Sequence, residues 1–158
     1  MNEMEIKIIN YEAKYRDDML FCYLSAKDAA GKNAPEAFRS PTLRDDLLDI
    51  DKYYLSKGDP FWLAIDCDDR VVGTMAFTLL NEEELRLSRF FVKPELKRSG
   101  VGSRLLEQLE YFARQTGVSR IYVRFAIWYE DADKFYSSKG FEYKRHDGHL
   151  ITMMKELK

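Results

Sequence analysis

The sequence predicts a mixed α/β fold, in which a mostly antiparallel sheet of about seven strands has helices on both faces. The predicted order of elements is β-α-α-β-β-β-α-β-α-β-β. Residues 89–126 read as a strand, a glycine-containing loop, a helix and a second strand, which predicts a right-handed crossover between parallel strands. Short alternating segments joined by turn residues predict hairpins elsewhere in the chain.

Two helices are predicted in the first third of the chain. Isoleucines at positions 6, 8 and 9 indicate a short strand, and apolar residues at helical spacing from Tyr15 to Ala30 indicate a helix that ends before Gly31. Start signals at Ser40-Pro41-Thr42, followed by an apolar face, predict one further helix that ends near Gly58.

Six further strands are predicted after this second helix, over residues 61–65, 70–80, 85–92, 120–126, 141–145 and 150–156. Turn residues at 66–69, at 81–84 and at Asp147-Gly148 predict the hairpins between them. Residues 130–139 predict a short helix that ends at Gly140.

The composition limits the classes of function. A chain of 158 residues, 46% of them hydrophobic, can bury a sizeable core, so we expect residues 1–158 to form one domain. The net charge of −2, with no basic run longer than Lys97-Arg98, gives no reason to expect nucleic-acid binding. Cys22 and Cys67 lack the spacing of a metal site or disulfide framework, so we expect reduced thiols and no metal.

The expected compartment is the cytoplasm. The N-terminus is polar, and no apolar run approaches the ~20 residues that are needed to cross a bilayer. We therefore expect neither export nor a membrane partner.

The loop before the central helix has the composition of an anion-binding site. It runs from Lys97 through Arg98, Ser99, Gly100, Val101 and Gly102 to Ser103. Glycines permit positive φ and remove Cβ atoms, so successive backbone N–H groups can converge on a phosphate at the start of the helix. The helix that follows has a single apolar stripe and a stop signal at Gly117.

Two common phosphate-binding loops do not fit these residues. A Walker loop needs Gly-Lys-Ser/Thr, whereas Gly102 is followed by Ser103-Arg104. A dinucleotide fingerprint needs a third glycine where Leu105 stands. An ATP-binding regulator would also need an acidic partner for magnesium, and no Walker-type partner is visible in the sequence.

A third loop type fits better. Val92-x-Pro94, followed by the Lys97–Gly102 segment, resembles the pyrophosphate-binding motif of the GNAT superfamily of acyl-CoA-dependent N-acyltransferases. In that motif Gln or Arg, two variable residues, Gly, one variable residue and Gly or Ala precede a helix. Lys97 stands at the Gln or Arg position, which keeps the charge but loses the planar fork of arginine.

A second segment supports the resemblance. Residues 129–141 are similar to the C-terminal motif of the family, Asn-x-x-Ala-x-x-x-Tyr-x-x-x-Gly-Phe, and Ala132, Tyr136, Gly140 and Phe141 fall in register. Tyr129 replaces the asparagine, so an amide contact to the pantetheine arm cannot be carried over. The predicted order of elements is also the order that the resemblance implies.

The resemblance implies direct transfer of an acetyl group from acetyl-CoA to a primary amine of a small molecule or peptide. It implies no metal, and it leaves a homodimer open. Tyr136 would protonate the leaving thiolate, and the backbone N–H of Val92 or Phe91 would stabilise the oxyanion. The residues expected to contact the coenzyme are Phe91, Val92, Lys97, Arg98, Ser99, Gly100, Val101, Gly102, Ser103 and Asp133.

The general base is less clearly indicated, because Arg86 stands where family members often place a glutamate. Glu84, on the same face of an extended strand, is the nearest replacement, with Glu82 and Glu83 behind it. Water is an alternative. His146 and His149 flank the last predicted turn and are more typical of a surface turn.

Two further interpretations concern the ligands. Acidic residues at positions 45, 46, 49 and 51, together with residues 82–84, favour a cationic amine as the acceptor. A module that binds or senses acyl-CoA without turnover is the alternative to an enzyme. Tyr136 separates these two classes, because a sensor does not need a positioned phenol.

Overall fold

The computed structural model describes residues 5–39 and 43–157, and its centre is one seven-stranded sheet in the order β1-β2-β3-β4-β5-β7-β6. The strands are β1 Ile6–Asn10, β2 Phe61–Asp66, β3 Val71–Leu79, β4 Glu84–Val92, β5 Arg120–Ala126, β6 Glu142–Asp147 and β7 Leu150–Glu156. The helices are α1 Arg16–Ala30, α2 Asp45–Leu48, α3 Ile50–Tyr53, α4 Val101–Thr116 and α5 Glu130–Ser138. This is the mixed α/β architecture that the sequence predicts.

The sheet opens at its centre, between β4 and β5. These two strands run parallel, joined by the crossover through α4, and every other neighbouring pair of strands is antiparallel. Their pairing covers only Glu84 to Arg86 on β4 and Arg120 to Tyr122 on β5. Beyond this point β4 continues to Val92 and β5 to Ala126 without pairing with each other, so the sheet is open there.

Helices cover both faces of the sheet, as the sequence predicts. Side chains of successive strand residues point to opposite faces, so Leu63 packs with the core under α1 to α3, whereas Trp62 and Ala64 pack with the core under α4. Leu105 and Leu109 of α4 are fully buried in the latter core. Within the part of the chain that the structure describes, none of the helices combines the length and apolarity needed to cross a membrane.

The prediction of one continuous second helix is wrong. The structure has two short helices, α2 and α3, which are separated by Asp49 at φ −145° and ψ 77°. The Asp49 carboxylate accepts a hydrogen bond of 3.1 Å from the backbone N–H of Lys52 and thereby caps α3. Aspartate favours this capping geometry over the interior of a helix. The start signals at 40–42 lie outside the described residues.

Strand β4 contains a bulge that the sequence did not predict. Phe91 pairs with Thr74 of β3 and Ser88 pairs with Ala76, so Arg89 and Phe90 together face a single residue, Met75. Arg89 has φ 48°, in the left-handed region. The bulge changes the direction of the last part of β4, next to the opening in the sheet.

Candidate active site

A cleft of about 800 Å³ lies at the end of β4 where its pairing with β5 has ended. Its walls come from α1, the end of β4, the loop from β4 to α4, and α5. Among the predicted site residues, Phe91, Val92, Lys97, Arg98, Gly100, Gly102, Ser103 and Tyr136 line it. The fold thus brings the glycine loop and the C-terminal motif together on one cavity.

Ser99, Val101 and Asp133 were also predicted to contact the coenzyme, but they lie outside the described lining of the cleft. Val101 is buried in the core under α4. The Ser99 hydroxyl donates to the carbonyl of Leu96. The Asp133 carboxylate accepts a hydrogen bond of 3.2 Å from the Ser137 hydroxyl one turn later on α5.

The first turn of α4 lies at the end of the cleft where the sequence predicts anion binding. Gly100, immediately before the helix, has φ 95°, a conformation that side chains disfavour. The N–H groups of the first turn have no partners within the helix, and they carry its positive dipole end. A Cβ atom added at Gly102 would lie 3.5 Å from the Phe90 and Phe135 rings. The missing side chain therefore leaves this part of the cleft free for a ligand.

The backbone of β4 presents a hydrogen-bond donor to the opening. The N–H of Lys93 donates to the carbonyl of Val72 on β3 at 2.9 Å. Since residues of an antiparallel strand alternate between bonding the partner and facing away from it, the N–H of Val92 points away from β3. It faces the side on which the described pairing with β5 has already ended.

Tyr136 extends from α5 into the same cleft. Its ring stacks on Phe125 at a centroid distance of 5.6 Å and contacts Phe141 edge-on at 5.2 Å. No described residue forms a hydrogen bond with its hydroxyl. Burial raises the pKa of Tyr136, so the phenol stays protonated at neutral pH and can donate a proton.

Tyr129 also lines the cleft, at the position of the family asparagine. Its hydroxyl accepts a hydrogen bond of 2.6 Å from Nζ of Lys27 on α1. The two walls of the cleft are thereby joined. Lys27 is 102 residues away along the chain, and nothing in its local sequence marks it as a site residue.

The structure does not support the predicted role of Glu84 as general base. Glu84 begins β4 and Val92 ends it, so they lie roughly 25 Å apart along the strand. The Glu84 carboxylate accepts hydrogen bonds from Asn81, Arg120 and Tyr122 at 2.8, 2.8 and 2.9 Å. These bonds lower the pKa of Glu84 to about 2, and such a carboxylate is a weak base at neutral pH.

Four of the seven acidic residues on which a cationic acceptor was predicted also have partners. Asp46 pairs with Arg89 at 2.7 Å, and Asp49 caps α3. Glu83 and Glu84 both pair with Arg120. These contacts neutralise part of the negative charge on which a cationic acceptor was predicted, and they leave Asp45, Asp51 and Glu82. His149 stacks on the Trp128 ring at 5.2 Å rather than standing in the cleft.

The fold and the cleft bring together the two segments on which the family resemblance was based, and the comparison with known families agrees. The chain belongs to the acetyltransferase (GNAT) family, whose model matches residues 24–141. This confirms the resemblance that the two motifs indicated.

Named relatives are N-acetyltransferases. The chain is 34% identical to human N-acetyltransferase 8 over 107 residues, which cover 64% of this chain and 47% of the relative. It is 33% identical to the probable N-acetyltransferase camello of Xenopus tropicalis over 106 residues, which cover 65% and 48%. The chain thus spans about half the length of the curated relatives it matches.

Solved structures show the same fold over nearly the whole chain. A GNAT-family acetyltransferase from Staphylococcus aureus Mu50 superposes with a TM-score of 0.82 at 25% identity, covering 98% of this chain and all of that one. The PaiA N-acetyltransferase of Thermoplasma acidophilum, in complex with coenzyme A, superposes with a TM-score of 0.86 at 17% identity, again over 98% and 100%. At that identity the second match shows the fold alone.

Proposed function

We propose that the protein transfers an acetyl group from acetyl-CoA directly to a primary amine of a small molecule or peptide. One observation carries the proposal: the free start of α4, the outward N–H of Val92 and the phenol of Tyr136 share a single cleft. These are the three groups that direct acyl transfer from a phosphate-bearing thioester requires.

The cleft suits coenzyme A in both shape and charge. Its diphosphate would accept hydrogen bonds from the first N–H groups of α4, beside Gly102. Lys97, Arg98 and Lys134 on the same walls supply positive charge. The pantetheine arm would follow the unpaired edge of β4, where backbone groups are available for hydrogen bonds.

The chemistry then follows from the positions of two groups. The amine attacks the thioester carbonyl carbon, and the N–H of Val92 donates a hydrogen bond to the oxygen as it becomes negative. As the C–N bond forms and the C–S bond breaks, the hydroxyl of Tyr136 gives its proton to the departing sulfur. Water takes the proton that the amine loses, and solvent then reprotonates Tyr136.

The test is a screen for release of the coenzyme A thiol from acetyl-CoA, run across small amines, amino acids and peptides. We expect release with at least one amine well above the amine-free rate, and a product that carries the acetyl group on nitrogen. Tight binding of acetyl-CoA without release on any amine would favour the sensor instead. The tyrosine at the family asparagine position and the remote Glu84 are the observations on which that alternative rests.

A further inference from the structure

A hydrogen bond to its backbone stabilises the bulge of β4. Arg89 stands at φ 48°, which side chains other than glycine adopt only where the surrounding structure enforces it. The hydroxyl of Thr74, on β3, donates a hydrogen bond of 2.7 Å to the carbonyl of Arg89. Thr74 is 1% exposed, so this bond is shielded from water.

The side chain of Arg89 is held as well. Its Nε and Nη2 atoms donate to the two carboxylate oxygens of Asp46 at 2.9 and 2.7 Å. The hydroxyl of Tyr54 donates to the same carboxylate at 2.6 Å. The side chains of Arg89 and Asp46 are only 23% and 19% exposed, so water competes little with this pairing. The pair joins α2 to the bulge.

The held bulge lies next to the reactive end of the strand. Arg89 precedes Val92 by three residues, and its guanidinium lies 5.7 Å from the centre of the Tyr23 ring. Tyr23 contacts Phe91 edge-on at 4.9 Å, and Phe91 lines the cleft. Arg89 therefore connects Asp46 to residues 91 and 92 in two ways. One is the main chain of β4, and the other is the contact of the Arg89 side chain with Tyr23, which packs on Phe91.

The direction of the Val92 N–H depends on this bulge. A bulge adds one residue to its strand, so its loss would move the following residues by one position against β3. Because strand residues alternate, a shift of one position would turn the N–H of Val92 from the cleft towards β3.

We propose that Asp46 and Arg89 are positioning residues of the acyl-transfer site, which hold the bulge of β4 so that the Val92 N–H faces the thioester carbonyl. This inference rests on the proposed function. It assigns an indirect role to an acidic residue of α2 that touches neither the cleft nor the expected coenzyme site.

The experiment compares Asp46→Asn with a matched control, Asp18→Asn. Asp18, on α1, also holds an arginine with two bonds, since Arg70 donates to it at 3.1 and 2.8 Å. Arg70 directly precedes β3 and lies away from the bulge. Both substitutions remove one charge from a bidentate pair. A purely structural role of Asp46 would therefore affect both variants in the same way.

We expect Asp46→Asn to lower kcat by roughly tenfold or more, because the oxyanion donor is displaced, while KM for acetyl-CoA changes by less than about threefold. Asp18→Asn should keep the parental kcat. Equal kcat in the parent and the Asp46 variant, or equal losses in both variants, would overturn the inference. If Asp46→Asn does not fold, Tyr54→Phe removes one bond to Asp46 at nearly constant volume and should lower kcat by about twofold to fivefold.

A second measurement does not depend on an acceptor amine. The ¹⁵N–¹H signal of Val92 is compared between complexes with coenzyme A and with acetyl-CoA, since only acetyl-CoA carries the thioester carbonyl. We expect a shift of this signal in the parent and in Asp18→Asn, and its loss in Asp46→Asn. A parent that shows the shift but turns over no amine would contradict the proposed function and leave the positioning role supported. The same shift in all three proteins would overturn the positioning role.

Discussion

The Nζ atom of Lys97 lies 2.8 Å from Oδ2 of Asp131, so a salt bridge joins the glycine loop to the first turn of α5 across the cleft. Both residues line the cleft. The hydrogen bond from Lys97 lowers the pKa of Asp131, which keeps the carboxylate charged at neutral pH. A bound diphosphate would compete with this carboxylate for Lys97.

We therefore predict that Asp131→Asn binds acetyl-CoA more tightly. The pair is exposed, at 44% and 66%, so the gain should be small, roughly twofold to fivefold, and larger at low ionic strength. Calorimetry at two salt concentrations measures it. Asp133→Asn is the control, because it removes the same charge from the same helix turn. In the parent, the Asp133 carboxylate accepts a hydrogen bond from Ser137 and lies outside the cleft lining. Weaker binding by Asp131→Asn would contradict the account, and a large change in the control would restore Asp133 as a coenzyme contact.

Gly102 offers a test of the anion binding that is predicted at the start of α4. Valine here would place two methyl groups near Phe90 and Phe135, in the volume that a ligand needs, and we expect the Kd for acetyl-CoA to rise at least about tenfold. Alanine adds only a Cβ at ordinary contact distance, 3.5 Å, and should bind as the parent does. Both substitutions replace a glycine near the start of the helix, but only valine adds methyl groups. A loss of affinity in Gly102→Val alone is therefore due to the space that the methyl groups occupy, not to a change in helix propensity. Parental affinity in both variants would mean that the diphosphate lies elsewhere.

The sequence predicts well those elements in which local pattern and packing agree. The apolar stripe of α4 and its flanking glycines identify the helix, and the alternation in β5 identifies the strand that it leads to. Their connection predicts the parallel pair β4 and β5, and hence the place where the sheet opens. The segments that carry the two motifs contain most of the residues that line the cleft, and eight of the lining residues were predicted as site residues.

Features that depend on long-range contacts could not be predicted in this way. The left-handed Arg89 is stabilised by Thr74 and Asp46, which are 15 and 43 residues away along the chain. Lys27 reaches Tyr129 only because α1 folds against the cleft. The break at Asp49 was missed because the apolar spacing continues through it, although the capping residue itself is visible in the sequence.

The lowered pKa of Glu84 predicts a pH-dependent contribution to stability. Its pKa in the folded protein is about 2, below the usual 4.5, so the charged form stabilises the fold above pH 4.5, and this contribution is lost as the pH falls towards 2. Glu84→Gln should therefore have a lower Tm than the parent at pH 7, and the difference should shrink between these two pH values. Thermal unfolding measures this, with the exposed Glu82→Gln as the control.

The activity of Glu84→Gln tests whether Glu84 is a general base. From the position of Glu84 at the far end of β4, we expect kcat/KM of Glu84→Gln to stay at the parental value. A loss that is greatest at low pH, with unchanged affinity for acetyl-CoA, is the outcome that a general base would give. That outcome would contradict the structural interpretation of Glu84.

The most direct test of acyl transfer is kcat for Tyr136→Phe, measured across pH with the best amine from the screen. The substitution removes a hydroxyl that bonds no described residue, so stability and the Kd for acetyl-CoA should not change. General acid catalysis is typically worth ~10²–10⁴ in rate, and we expect the lower end because the coenzyme A thiolate already leaves readily. Tyr143→Phe, at an exposed tyrosine, is the control. We expect kcat of Tyr136→Phe to fall most above neutral pH, where solvent protons are scarce. Parental kcat at every pH would show that Tyr136 only packs and would contradict the mechanism.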